Sequence, residues 1–546
     1  MRTERFEGII RVITTNCQNR SAAPRTVIAV GRHHESMTAP ADVIFTNAEV
    51  HTLAEPDETA DAVAVRDGEI VRVDSAYEVD FLEGVETDMV DLGGRVLLPG
   101  FIDAHTHLMM VGNYLVNADL SVADSPDDCV ELLAELDADR DWILGYGFDE
   151  STWEESRYLT RDDLDSVSET RPVVAFREDM HTASVNSEAL SRLRDQMPDE
   201  DVETEGGEPT GVIVEEAVDA IYEAIEPDAE TMRELLLAAQ GDAHKKGITG
   251  VHDMVRRSRA PEVYRSLELD GDLDLRVRIN YWSDHLDAVE EIGLQTNHGS
   301  EFVRTGAIKS FTDGSFGGRT AKLTEPYADG DGTGQWVVPP KELNEIVSRA
   351  DDAGLQVTVH AIGDEAIEET LDAFGETDDP GAMRHRVEHV ELVTDEQIER
   401  FAETGIVASV QPNFLKWAQE GGLYDARLGE ERRKQTNRFR TLLDSGAHLA
   451  FGSDCMPLDP LLGIHQTVNA PVEAQQLSVT EALRAYTHGA AYAGFDEDRL
   501  GTVEKGKKAD FVVLDSSPWE ESDDIETIDV AMTVVDGKVV FDGRND

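Results

Sequence analysis

The stretch Leu98-Pro99-Gly100-Phe101-Ile102-Asp103-Ala104-His105-Thr106-His107-Leu108 runs an apolar strand into two histidines spaced i, i+2. Side chains of a strand alternate between faces, so His105 and His107 point the same way and can grip one metal ion. An H-x-H pair is weak evidence alone in a chain with 16 histidines. Its weight comes from its place at the end of the first strand of a long series. Apolar strands alternate with helical stretches along the rest of the chain, the pattern of a parallel α/β array. Strands are predicted at 96–104, 248–252, 276–281, 307–311, 356–360, 386–389, 406–410 and 448–452. That is eight, the number a closed (β/α)8 barrel needs, and such barrels keep their chemistry at the C-terminal ends of the strands. The tally leaves 110 to about 228 as a large insertion after the first strand.

The ends of the later strands carry further candidates. Lys309 lies on the fourth, His360 closes the fifth, His389 closes the sixth, and Asp454 follows the eighth. Four imidazoles and a carboxylate suit zinc or a similar divalent ion. Asp454 is the candidate general base and a possible ligand, because a carboxylate beside an activated water accepts and relays its proton. The structural alternative is an Asp that caps the turn leading to Pro457. The run Asp313-Gly314-Ser315-Phe316-Gly317-Gly318-Arg319 should form a loop over the mouth, and it lacks the pattern of a phosphate-binding loop.

Eight motifs in order carry a resemblance: GFIDAHTH, RPVVAFREDMHTASVNSEAL, GEPTGVIVEEA, KSFTDGSFGGRTA, VTVHAIGDEA, RVEHVEL, GSDCMP and GTVEKGKKADFVVLD. From about residue 41 to its end the chain resembles the amidohydrolase superfamily. It is closer to the amidohydrolase-3 group, which includes N-substituted formamide deformylases. The resemblance implies a metal-dependent hydrolase of non-peptide, amide-type carbon–nitrogen bonds, working by attack of metal-bound hydroxide. In many members a carboxylated lysine bridges two ions. Here the implied ligands are His105, His107, Lys309, His360, His389 and Asp454. Lys309 is a reasonable bridge, because Ala307, Ile308 and Phe311 close by in sequence would desolvate its amine, lower its pKa and free it to take up CO2. The other reading is a Lys309–Asp313 ion pair beside a single ion.

His181 faces substrate in the resembling group, and Asp313 joins it as a substrate-binding candidate; a surface histidine is the plain alternative for His181. Trp142, Tyr146, Phe148 and Trp153 in the insertion are available as a pocket wall for an apolar leaving group. Two other functions stay open: a mononuclear-metal deaminase of a cyclic amidine or nucleobase, and a non-catalytic barrel. Cys455, beside Asp454, reads as a buried inert thiol.

Composition narrows the partners. Among 546 residues, 112 Asp and Glu outweigh 48 Lys and Arg, giving a formal net charge of −64 and a sequence pI near 4.4. So acidic a surface is a poor match for nucleic acid or an anionic membrane, which leaves a small-molecule substrate and room for a homodimer. The acidity is dispersed and lysine is scarce, at 11 against 37 arginines, the balance of a salt-adapted proteome. Hydrophobic residues make up 40% of the chain and the mean hydropathy is −0.37, so there is material for a large core. Three cysteines rule out a disulfide framework. With no apolar run near the ~18 residues of a membrane span, a cytoplasmic location is expected.

Residues 41–100 read as short strands with turn punctuation, and 500–546 repeat that grammar; each piece has a D-G hairpin signal. Neither can bury a sheet alone, so the two are expected to form one small β-sandwich around a barrel domain of 101–495. Residues 1–36 break from the rest, with six Arg, three Glu and no Asp or Lys. They read as a disordered or spurious extension, with a basic functional arm as the alternative. A chain starting at Met37 is therefore expected to fold and turn over like the full chain. Lost folding or activity in that truncation would make the extension functional.

Overall fold

The computed structural model describes residues 39–544 other than 55–57, 137–139, 151–152 and 179–180. The expectation for residues 1–36 lies outside the described residues. Eight strands form one parallel sheet in chain order: β1 (Phe101–Thr106), β2 (Ile248–Val255), β3 (Arg276–Trp282), β4 (Val303–Phe311), β5 (Gln356–Ala361), β6 (Arg386–His389), β7 (Val407–Val410) and β8 (His448–Phe451). Most are buried along their whole length, as strands covered on both faces must be.

The sheet curls until β8 returns to β1, and side-chain and backbone bonds close the seam. Both Asp103 carboxylate oxygens accept the Ser453 N–H, at 3.1 Å. The Asp454 N–H donates to the His105 carbonyl at 2.7 Å. Gly452 permits this approach, since a Cβ there would stand 2.4 Å from the His105 nitrogen. The seam thus joins the HxH strand to the Asp454 turn.

The first barrel strand is shorter than the expected 96–104. The chain divides at Gly100: Val96–Pro99 pairs outward with Phe511–Leu514 and Glu49–His51, and only Phe101–Thr106 enters the barrel. Proline donates no ladder hydrogen bond, and a Cβ at residue 100 would sit 2.3 Å from the Thr249 side chain.

Strands from both chain ends share one six-stranded sheet, in the order Lys538–Asp542, Val530–Val535, Phe511–Leu514, Val96–Pro99, Glu49–His51, Thr59–Ala60. A four-stranded sheet of Val43–Thr46, Ala62–Arg66, Glu69–Asp74 and Asp88–Asp91 meets it over a common core with Phe45, Leu97, Phe511 and Val534. Asp67-Gly68 and Asp536-Gly537 turn two of the hairpins with positive φ at both positions.

Between β1 and β2 lies a separate six-stranded sheet running from Ala118–Asp119 to Glu208–Val214, with an apolar core on each face. Tyr146 stacks on Phe176, with ring centroids 4.8 Å apart, and Phe176 on Tyr222 at 5.0 Å. Phe148 and Trp153 fill the opposite core, and Trp142 packs at the first core's edge. Of the four aromatics read as a pocket wall, Tyr146, Phe148 and Trp153 are therefore this layer's own interior, and Trp142 lies half-buried at its edge. A six-stranded sheet has two faces to cover, and these rings cover them.

Barrel and end sheets are tied by a buried ion pair. Arg276 on β3 donates to both Asp510 oxygens, at 2.5 and 2.9 Å, and neither side chain is more than 6% exposed. Asp510→Ala leaves the guanidinium buried without its main partner, so denaturant unfolding should lose about 3–5 kcal/mol. A loss under about 1 kcal/mol would show that the pair is not a clamp.

Candidate metal centre

The C-terminal rim of the barrel gathers the candidate ligands. His105 is the last residue but one of β1, and His107 follows the strand, at the N-cap of the helix Leu108–Val116. His105 Nε2 and His107 Nε2 lie 3.5 and 3.3 Å from Asp454 Oδ1. Ligand atoms of His105, His389 and Asp454 all fall within 4.8 Å of one another. The His360 ring is 4.4 Å from that of His389, and the His389 ring 5.1 Å from that of His105, centroid to centroid.

Burial lowers the pKa of His105, His360 and His389, His360 to about 3, so the three rings stand neutral with a lone pair each. Their partners choose the free nitrogen. His105 Nδ1–H donates to Glu388 Oε2 at 2.6 Å, which leaves Nε2 toward Asp454. His360 Nε2–H donates to the Gly314 carbonyl at 3.0 Å, which leaves Nδ1. His389 Nδ1 is buried with no hydrogen-bond partner. His389 and Val390 have φ of 76° and 50°, and Asp454 and Cys455 have 52° and 55°. That left-handed backbone is costly for non-glycine residues, and here it gathers at the end of β6 and after β8, beside the ligands.

Lys309 lies inside the same cluster. Its side chain is 1% exposed and its Nζ has no hydrogen-bond partner. The Phe311 ring stands beside it, 4.8 Å from Nζ to centroid. Desolvation lowers its pKa to about 8, and its charge is felt at His105, His360, His389 and Asp454. The Lys309–Asp313 ion pair does not form. Asp313 is fully buried and accepts the backbone N–H groups of Lys322 at 2.8 Å, Gly363 at 2.9 Å and Ile362 at 3.1 Å. Its carboxylate pins the glycine-rich loop to the end of β5 and stands 3.5 Å from His360 Nε2. Those three bonds occupy its oxygens with backbone donors. Burial raises its pKa to about 7 against those bonds.

His181 lies in the insertion layer, 73% exposed at the side chain, with Nδ1 3.3 Å from Glu215 Oε2. The Glu215 N–H returns to the His181 carbonyl at 3.0 Å. His181 is not a member of the His105–His389–Asp454 group. Cys455 is half-buried, and desolvation together with Asp454 beside it pushes its thiol well above the usual pKa, which favours the protonated form.

Three supporting residues escaped the sequence reading. Glu388 Oε1 accepts from Thr358 Oγ1 and forms an ion pair with Arg386 at 2.8 Å, while Oε2 takes His105. Burial alone would raise the Glu388 pKa, but Arg386 and His105 hold it well below the carboxylate range. Arg386, fully buried, also donates to His252 Nδ1, the Ala104 carbonyl and Ser409 Oγ. Asp253 on β2 accepts the Leu108 N–H at 2.8 Å and the Tyr264 hydroxyl at 2.7 Å, fixing the chain just after His107. The signal was present in β6 itself: two opposite charges, i and i+2, in a four-residue strand that must be buried.

A donor set of neutral imidazoles and a carboxylate, with an orphaned lysine amine and an orphaned imidazole nitrogen, fits a divalent metal. Glu388→Gln keeps the shape but loses the charge that orients His105. Metal affinity should fall about 10–100-fold, read by competition with a chelator. Unchanged affinity would remove Glu388 from the site.

Comparison with known proteins agrees with this geometry. The family model described as "Amidohydrolase family" matches residues 88–541. YtcJ of Bacillus subtilis (strain 168), an amidohydrolase by name, is 32% identical over 90% of this chain and 98% of its own. The N-substituted formamide deformylase of Arthrobacter pascens is 26% identical over 93% of this chain and 99% of its own. A metal-dependent hydrolase from Pyrococcus furiosus superposes with a TM-score of 0.77 at 31% identity, over 87% of this chain and 99% of that one.

Proposed function

Because the chain belongs to the amidohydrolase family and is a metal-dependent hydrolase of carbon–nitrogen bonds, we propose that it cleaves N-substituted amides at a dinuclear site bridged by carboxylated Lys309. The observation that carries this reading is the Lys309 amine, fully buried and without a hydrogen-bond partner inside the cluster of imidazoles. An amine with a pKa near 8 is partly unprotonated at neutral pH. Its lone pair forms an N–C bond to CO2, one proton leaves, and the carbamate so made is an anion with two oxygens. His105, His107 and Asp454 would hold one ion, His360 and His389 the other, with the carbamate between them. Zinc suits this mixture of imidazole and carboxylate. A bound ion would supply Lewis acidity and lower the pKa of a coordinated water.

The chain's own groups do the rest. Burial would raise the Asp454 pKa, but its neighbours outweigh that and hold it at about 2, His107 by a hydrogen bond, so the group is ionised at neutral pH. Placed against both histidines of the HxH pair, Asp454 takes the proton of the attacking water and delivers it to the departing nitrogen. An amine leaves poorly unless protonated, so the second transfer matters as much as the first. Aromatic rings flank the ligands on both sides. Phe311 stacks on His360 at 4.6 Å with Trp282 behind it, and Phe414 stacks on His389 at 5.8 Å with Trp417 behind it. Such walls favour a small molecule with an apolar or aromatic substituent on the scissile nitrogen.

A second reading draws on the compact His105–His389–Asp454 group, which suits one ion and the deamination of a cyclic amidine or nucleobase. Metal content separates the two. The dinuclear reading expects two ions per chain. Lys309→Ala should lose activity that added short carboxylates partly restore. Full metal content and a normal rate in Lys309→Ala would refute the bridge. Asp454→Asn, fully metallated, should cut kcat on an N-acyl amine by about 10²–10⁴-fold. A near wild-type kcat there would remove Asp454 from the mechanism.

A further inference from the structure

At the opposite end of the barrel, where the strands begin, a second group of charges surrounds a small cavity. It is lined by Arg276 and Arg278 of β3, Arg304 of β4, His252 of β2, and Asp496 and Arg499 of the segment following the last barrel helices, with Glu301 at its edge. The accessible space is about 20 Å³, enough for one water-sized particle. It is separate from the metal centre, which lies at the other ends of the same strands.

The charges around it do not cancel. Arg276 is paired with Asp510 and Asp536. Arg278, Arg304 and Arg499 all turn to one carboxylate, Asp496, at 2.8, 3.0 and 3.4 Å. Glu301 meets Arg499 at 3.3 Å, but it is 58% exposed and is shared with Lys508 at 3.7 Å. Three guanidinium groups thus share two carboxylates, one of them largely in water. Desolvation and the neighbouring Arg304 and Arg386 lower the pKa of Arg278, as expected where positive charge is in excess.

Donors without acceptors point to the same place. Arg278 is 3% exposed, and its Nε–H has no hydrogen-bond partner. Arg499 Nε–H is buried without a hydrogen-bond partner too, and its buried Nη1 reaches only Asp496, at 3.4 Å and without hydrogen-bond geometry. His252 Nδ1 accepts from Arg386 at 2.8 Å, so its neutral ring carries the proton on Nε2. Gly494 faces both His252 Nε2 and Arg278 Nε, and a Cβ there would stand 2.8 Å from each. Buried donors normally find acceptors, and several orphans around one cavity call for an anion.

We propose that this cavity is a binding site for a small monovalent anion, chloride by size, which the N–H groups of Arg278, Arg499 and His252 hold at the base of the barrel. The ion neutralises the excess guanidinium charge and ties β2 and β3 to the Asp496–Arg499 segment. Oxyanions such as sulfate are too large for a space of one water. No covalent step is involved, and the site contributes to stability.

Thermal melting at constant ionic strength tests this, with potassium chloride replacing potassium gluconate, whose anion cannot enter. The full-length protein should show a saturable rise in melting temperature, about 2–3 °C once chloride is about 100-fold above its Kd. In Arg499→Gln the chloride-specific rise should vanish. Equal melting in the two salts, or a rise retained in Arg499→Gln, would overturn the proposal. Should that variant not fold, crystals of the wild-type protein grown in sodium bromide decide. An anomalous peak against Arg278 Nε, together with the saturable response in solution, supports the site. A water there, or a peak with no response in solution (binding at crystal concentration only), overturns it.

Discussion

Glu388 is a carboxylate at the centre of a barrel, where an unpaired charge would cost more than the fold can bear. It survives because Arg386, two residues back on the same strand, lies against one oxygen while Thr358 donates to that oxygen and His105 to the other. The arrangement ties β1, β5 and β6 at one point. It also fixes which nitrogen of His105 is free, and that choice sets the direction from which an ion can be held. Arg386 then passes the constraint on to His252, Ser409 and the β1 backbone. The rim and the base of the barrel are thus parts of one network of buried charge.

The distribution of cations follows from their chemistry. The outside of the chain is overwhelmingly acidic, while the buried cations are arginines and a single lysine among the described residues, histidines apart. A guanidinium stays charged and satisfies several acceptors at once, so it can serve as an interior strut. An ammonium is a compact point charge whose pKa falls readily on burial. Lysine is therefore the cation to bury where a reactive amine is wanted, and Lys309 occupies that position without a hydrogen-bond partner.

Much of the barrel was legible because it is written in local patterns. Alternating apolar strands gave eight units in order, and the strand-end positions of His105, Lys309, His360, His389 and Asp454 follow from period and spacing alone. The departures share one cause. Asp313 reads as a free acid beside an active-site loop, yet three backbone N–H groups from elsewhere in the chain claim its oxygens. Tyr146, Phe148 and Trp153 read as a pocket lining, yet the insertion folds a sheet with two faces of its own to fill. The aromatics that do flank the ligands, Phe311 and Phe414, come from barrel segments whose sequence gives no sign of which ring they meet.

By itself the sequence determined the element order, the barrel class, the metal-type donor set and the acidic surface, because each depends on residue identity and short-range periodicity. Only the tertiary structure decided which carboxylates are already bonded and which are free, and which imidazole nitrogen is left over. Those are questions of partner supply. A buried polar group takes its character from whatever the fold brings within about 3 Å of it, and at this site those neighbours lie from two to nearly three hundred positions away in the chain.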